Sequence, residues 1–396
     1  MYNREMFPVE QIVLIVVLGA LVAIVARRLR IPYTVGLVVA GVILALLPWQ
    51  IEIAFSKEVL FKILLPPLIF EAAINIRWSE LRRDLLPIVV FVTLGVLLSA
   101  AVTASVMHFA VGWLWPAALI FGVLIAATDP VSVIAAFKEA RVEGRLRLLV
   151  EAESLFNDST AAVAFSAMLA IGLGQTFGLA STGWAVVSSI GGGILSGLLV
   201  GGIALLIMGN TKDHLVELAM TALAAFGSFW LAEHFGLSGI LATTTAGILV
   251  GNLTVLGHIT DKGSEYIESF WDFAAFVVNS IVFVILGINL AYQGFAQSGI
   301  SLLVAIAAVI LGRAVAVYPC SILFSGTSLK IASKHQHVMF WGGLRGALAL
   351  ALALGIPDTL PYRQEILTVT FGVVAFSVFV QGMTMTPLLR RLGEIK

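Results

Sequence analysis

The apolar residues of this chain come in long uninterrupted runs, several of them near the ~20 residues needed to cross a bilayer as a helix. In hydrocarbon every backbone N–H and C=O must be satisfied within the segment, so runs of this length leave the α-helix as the spanning structure. Of 396 residues, 60% are hydrophobic and 12% are charged. With a mean hydropathy of +1.04, the chain reads as an all-α polytopic membrane protein. Cutting it at polar and turn-rich stretches gives thirteen spans, with cores at 9–26, 31–48, 58–76, 85–108, 115–137, 148–171, 183–209, 214–234, 237–252, 268–290, 297–324, 335–355 and 364–389. The short span 237–252 needs a thinned bilayer or an internal break to cross. No soluble domain and no long linker separates the spans, so residues 1–396 form one membrane domain with the lipid bilayer as its surroundings.

Basic residues orient the spans. Seventeen of the twenty-three fall on one set of loops: Arg27, Arg28, Arg30, Arg77, Arg82, Arg83, Lys138, Arg141, Arg145, Arg147, Lys212, Lys262, Lys330, Lys334, Arg390, Arg391 and Lys396. The other side has Arg4, Lys57, Lys62 and Arg363, and Arg313 and Arg345 lie inside spans. The N-terminus is therefore expected outside and the C-terminus in the cytoplasm.

Composition also excludes. A formal net charge of zero argues against nucleic acid as a partner. The glycine-rich stretches lie within apolar spans rather than in a nucleotide-binding loop, which argues against an ATP-driven pump, and no cofactor is expected. The one cysteine, Cys320, forbids an intramolecular disulfide.

Ionisable residues at membrane depth are costly and mark function by default. The sixth span carries Glu153-Ser154-Leu155-Phe156-Asn157-Asp158. On a helix Ser154 and Asp158 share a face, as do Glu153 and Asn157. The first pair offers a carboxylate and a hydroxyl, oxygen ligands suited to a hard cation; the second is placed to brace it. The fifth span is interrupted by Thr128-Asp129-Pro130, where proline removes a backbone donor and pushes its neighbour out of helical geometry. The expected unwound point leaves free carbonyls on one half-helix and free N–H groups on the other, and Asp129 is placed to balance the positive ends. The twelfth span carries Trp341-Gly342-Gly343-Leu344-Arg345-Gly346, where Arg345 either snorkels or balances negative helix ends.

These two breaks lie seven spans apart, so the two spans cross in opposite directions. That pattern predicts two inverted six-helix repeats, 1–171 and 214–389, joined by a linking helix at 183–209, with broken helices crossing near the midplane as in alternating-access transporters. Arg313, if buried, needs an acid, and Glu153 is its natural partner. Glu71, in the third span, is open between lining an ion path and being a neutral acid hydrogen-bonded to a neighbouring helix. Asn279 and Asn289 read as structural.

In these motifs the chain resembles the monovalent cation/proton antiporters of the NhaP type, relatives of the NHE sodium/proton exchangers. The matching pieces are Leu64–Ala72, Ala127–Val131, Glu153–Asp158, Gly312-Arg313 and Trp341–Ala347. The resemblance implies an NhaA/NhaP-like fold of about thirteen transmembrane helices, a homodimer, and a mobile six-helix core in a prokaryotic-type inner membrane. It implies that Asp158 carries either Na+ or a proton, with Ser154 and the Thr128 carbonyl as co-ligands of Na+ and Glu71 reaching the ion through water. Glu153, Asn157 and Arg313 would hold the site in shape, with Asp129 and Arg345 supporting it. The expected activity is secondary antiport of Na+, and also Li+, for H+, one for one, because Asn157 does not titrate. A K+/H+ antiporter of the same fold stays open, as do a gated cation channel and a non-transporting scaffold. The polar groups cluster at one depth, unlike a channel's continuous polar pore, and a scaffold leaves the buried acids unexplained.

Overall fold

The computed structural model describes residues 8–29, 31–47, 60–129, 144–174, 179–211, 213–253 and 261–395, with 131, 133, 134, 137 and 142 from the stretch between. Pro130 lies outside the described residues, as do Arg4, Arg30, Lys57, Lys138, Arg141, Lys212 and Lys396. Helix falls at each of the thirteen expected spans. The helices are α1 (Pro8–Leu29), α2 (Tyr33–Leu46), α3 (Leu65–Ile74), α4 (Trp78–Val111), α5 (Trp115–Leu124), α6 (Arg145–Gly172) and α7 (Leu179–Met208). They continue with α8 (His214–His234), α9 (Gly239–Leu253), α10 (Asp261–Tyr292), α11 (Phe295–Ile322), α12 (Ser333–Trp341), α13 (Ala347–Leu354) and α14 (Arg363–Arg391). The expected twelfth span is the broken pair α12 and α13. Among the described residues, α4, α6, α7, α8, α10, α11 and α14 contain stretches long and apolar enough to cross a bilayer on their own.

The helices pack as two groups that meet around the broken spans. In one group α2 lies along α10, α9 along α3 and α7, and α1 against α2 and α10. In the other, α4 lies against α5 and α11, α5 against α6, and α14 against α11 and α13. Between helices in lipid, association rests on close packing rather than on a hydrophobic driving force, so small residues mark the tightest crossings. Gly41 of α2 and Gly287 of α10 meet in this way: a Cβ on either would run into the other helix's backbone, at Val284 O and Val38 O respectively.

Polar clamps close the basic-loop side of the second group. Arg145, the first residue of α6, donates to Asp84 Oδ1 of α4 through Nε at 2.8 Å and Nη2 at 2.6 Å. The same guanidinium donates to the carbonyls of Lys330 at 2.7 Å and Leu329 at 2.8 Å, in the loop between α11 and α12. One arginine thus ties the site-bearing helix to two neighbours.

Candidate functional site

The two breaks cross and touch. The α5 helix ends at Leu124, and the chain runs non-helically through Ala127, Thr128 and Asp129. Opposite it, α12 ends at Trp341, and α13 restarts at Ala347. The Asp129 N–H donates to the Leu344 carbonyl at 2.8 Å, so one unwound strand satisfies the other. Unwound backbone at membrane depth must be satisfied within protein or face a cavity, and both occur here.

Charges complete the crossing. Asp129 Oδ1 accepts from Val131 N at 2.9 Å, and Oδ2 lies 3.4 Å from Ala347 N at the head of α13. A carboxylate at a helix N-terminus satisfies free donors and opposes the positive end. Arg345 does the converse. It is 1% exposed, and its Nη1 donates to the carbonyls of Ala126 at 2.8 Å and Ala127 at 3.0 Å, where α5 runs out. It therefore balances a negative helix end and does not snorkel.

The glycines of the twelfth span have a steric role that their weak helix propensity did not suggest. A Cβ on Gly346 would fall on the Asp129 carboxylate, and one on Gly343 would fall on the Arg313 guanidinium. Both glycines let a charged side chain lie directly against backbone.

Helix α6 divides its polar residues differently from the two expected faces: Ser154 and Asn157 both reach Thr128, while Glu153 and Asp158 have separate surroundings. Glu153 and Arg313 form a buried bidentate pair: Nη1 donates to Oε1, and Nη2 to Oε2 at 2.7 Å. Arg313 also donates to the Met339 carbonyl, from Nη2 at 2.7 Å and from Nε at 3.2 Å, which ties α11 to the end of α12. Thr128 Oγ1 and Ser154 Oγ are hydrogen-bonded at 2.9 Å, and Asn157 Nδ2 donates to Thr128 Oγ1 at 3.2 Å. One turn on, Asp158 is different. Its Oδ1 is buried and has no hydrogen-bond partner among the described residues, and the charges that act on it are those of Asp129 and Arg345.

Asp158 faces a cavity of about 80 Å³. That is several times the roughly 10–15 Å³ that one water needs by the same measure, so the cavity has room for a partly hydrated cation. Thr128, Asp129 and Asp158 line it from the second helix group, Glu71 of α3 and Asn279 of α10 from the first, and Ala347 closes one end. Of the residues singled out in the sequence, Thr128, Asp129, Glu71 and Asp158 share the cavity wall. Ser154 and Asn157 stand behind it, bonded to Thr128, and Glu153 and Arg313 brace α6 against α11. Glu71 Oε1 lies 3.5 Å from Asn75 Nδ2 on its own helix, while its side chain reaches the cavity.

One residue of this wall, and one beside it, escaped the sequence reading. Asn279, read as structural, lines the cavity. Tyr33, at the head of α2, sets its hydroxyl against Asn279 and within electrostatic reach of Asp129 and Glu71. An amide in an apolar span is the signal that was available for Asn279; Tyr33 sits at a helix end, where aromatic residues are ordinary, and gives none.

Comparison with known proteins finds relatives over most of the chain. The family model described as sodium/hydrogen exchanger, transmembrane, matches residues 13–391. The Na(+)/H(+) antiporter ApNhaP of Aphanothece halophytica is 39% identical over 369 residues, covering 92% of this chain and 70% of that one. The Na(+)/H(+) antiporter NhaP of Pseudomonas aeruginosa is 30% identical over 393 residues, covering 92% of each chain. The solved structure of the sodium proton antiporter MjNhaP1 of Methanocaldococcus jannaschii superposes with a TM-score of 0.80 at 24% identity, over 98% of both chains, a likeness of fold.

Proposed function

Because the chain belongs to the sodium/hydrogen exchanger family, we propose that it exchanges a monovalent cation for a proton, with Na+ as the principal substrate and Li+ as a second. The observation that carries this reading is the asymmetry of two acids on one helix. Glu153 is neutralised by Arg313, whereas Asp158 keeps a buried oxygen without a partner on the wall of an ion-sized cavity.

A carboxylate in that position needs a positive partner that can leave. Either a proton or a cation meets the need, and the two compete for the same oxygens. The Ser154 hydroxyl and the Thr128 carbonyl are the co-ligands, and Asn157 and Ser154 hold Thr128 in place through its hydroxyl. Glu71 adds an oxygen from across the cavity. Arg345 sits where its charge offsets Asp158 between cargoes and Asp129 fixes the two half-helices. The crossing moves with the second helix group, which exposes Asp158 to one side and then the other. Each crossing carries one proton or one cation, and Asn157 adds no titrating charge, so the exchange is one for one and electroneutral.

We read the spans 1–171 and 214–389 as two inverted repeats joined by 183–209, the assembly as a homodimer, and the membrane as a prokaryotic inner membrane, with the N-terminus outside and the C-terminus in the cytoplasm. The test is proton movement in sealed proteoliposomes on addition of Na+, Li+ or K+, with and without a valinomycin-set potential for the Na+ and Li+ arms. Exchange is expected with Na+ and Li+ and is expected to ignore the potential. Current in place of exchange would mean a channel, and a strong voltage response would mean that a second acid moves with the cargo.

A further inference from the structure

Helix α10 carries three polar side chains in its deeply buried stretch, and two of them are accounted for within the helix. Ser280 Oγ donates to the Phe276 carbonyl at 2.8 Å, and Asn289 Nδ2 donates to the Ile285 carbonyl at 2.9 Å. Each bonds the carbonyl four residues back, the ordinary way for such groups to live in an apolar helix. Asn279 departs from that pattern. It is 5% exposed; its amide group is hydrogen-bonded to the Tyr33 hydroxyl, while its Oδ1 has no hydrogen-bond partner among the described residues, and it lines the same cavity as Asp158. A buried amide oxygen without a partner is costly, and such an oxygen calls for an explanation.

The helix that carries it matters. Helix α10 packs along α2 at the Gly41–Gly287 crossing and against α3 and α1. It belongs to the group that holds Tyr33 and Glu71, not to the group that holds Asp158, Thr128 and Ser154. The cavity wall is therefore made from two bodies. Its position follows from Glu71, which lines it less than one turn from the end of α3 and just before the basic stretch that begins at Arg77. The cavity thus lies on the basic-loop half of the crossing.

We propose that the Asn279 side-chain carbonyl is a further ligand of the partly hydrated cation, contributed by the helix group that does not carry Asp158. The inference rests on the exchange function above. An amide carbonyl is a neutral hard-oxygen donor, suited to Na+ and indifferent to pH. Because it stays behind when the other group moves, it serves the cation on the basic-loop side and is out of reach on the other. It lowers the escape of the ion toward the basic-loop side without adding charge to the carrier, and so leaves the stoichiometry unchanged.

The experiment is Na+-dependent proton movement in everted and in right-side-out membrane vesicles of an expression host, for the wild type, Asn279→Val and Asn279→Ser. The expected result is a half-saturating Na+ concentration raised roughly five- to tenfold in everted vesicles for Asn279→Val, with less than about a twofold change in right-side-out vesicles. Asn279→Ser, which restores an oxygen, is expected to fall between Asn279→Val and wild type, and carries the test if Asn279→Val does not accumulate in the membrane. An equal rise in both orientations would overturn the proposal in favour of a structural role, and no rise in either would overturn it outright. Wild-type vesicles that exchange establish the parent reading independently; failure of the wild type would refute that reading rather than this one.

Discussion

Two turns of α6 hold three acids and treat them differently. On the first turn Glu151 accepts from Arg147 at 2.7 Å in an i,i+4 pair whose arginine is partly exposed and whose acid is buried, and Glu153 is gripped by Arg313 deep inside the protein. On the second, Asp158 faces the cavity with an unpartnered oxygen. The helix is the same, so the difference lies in what the neighbouring helices bring. Helix α11 brings a guanidinium whose fork matches a carboxylate, which fixes Glu153 for good. The crossing of the broken spans brings the ends of half-helices, which shape the field around Asp158 but leave its oxygens to exchangeable partners. A permanent counter-charge makes an acid structural; a missing one makes it a carrier.

Three sets of substitutions probe that contrast. Asp158→Asn keeps the shape and removes the titrating charge. Complete loss of Na+-driven proton movement is expected, with the protein still inserted and its melting profile retained; clear residual coupled exchange would erase the distinction between the two turns. Next come Glu153→Gln and Arg313→Gln. Each leaves a buried charge unpaired and is expected to lower stability by about 3–5 kcal/mol, while the double substitution recovers part of the loss. Fully additive losses in thermal melts would mean that the pair is not coupled. Less affected should be Arg147→Ala, where the arginine is partly exposed but Glu151 is buried. A loss of about 1–3 kcal/mol is expected in thermal melts, and a loss equal to that of Arg313→Gln would show that the first turn is clamped as firmly as the deeper pair.

A fourth substitution sharpens the account of the crossing. In Gly346→Ala the new methyl falls on the Asp129 carboxylate, so either the half-helix α13 shifts or the carboxylate does. Overpacking of this kind costs about 1–3 kcal/mol, and exchange is expected to fall with it. A fully active Gly346→Ala would mean that the contact between Asp129 and the head of α13 is dispensable.

Much of this arrangement was legible in the sequence, for identifiable reasons. Span positions followed from hydropathy because lipid leaves the backbone one way to be satisfied. The Glu153–Arg313 pair was legible because an arginine inside an apolar span must find an acid. The balancing role of Asp129 followed from helix breaks, whose ends carry predictable charge, whereas for Arg345 the same break left balancing and snorkelling both open until its burial was seen. What stayed hidden depended on contacts between helices distant in sequence. Gly343 and Gly346 admit the Arg313 and Asp129 side chains, a use that the twelfth span by itself does not reveal. Asn279 read as structural, because an amide bonded to its own helix and one facing a cavity look alike in sequence; Asn289 is the first kind and Asn279 the second. Tyr33 gave no sign, since only the packing of α2 on α10 brings its hydroxyl to the site.

The central claim is that one carboxylate, Asp158, takes a proton and a cation in turn. The most direct test is the half-saturating Na+ concentration of exchange in proteoliposomes, measured over several pH values. If both cargoes share Asp158, falling pH protonates the carboxylate and weakens Na+ binding. The half-saturating Na+ concentration should then rise about tenfold per pH unit below the carboxylate's pKa, while the maximal rate at saturating Na+ changes far less. A half-saturating concentration that does not move with pH would contradict a shared site.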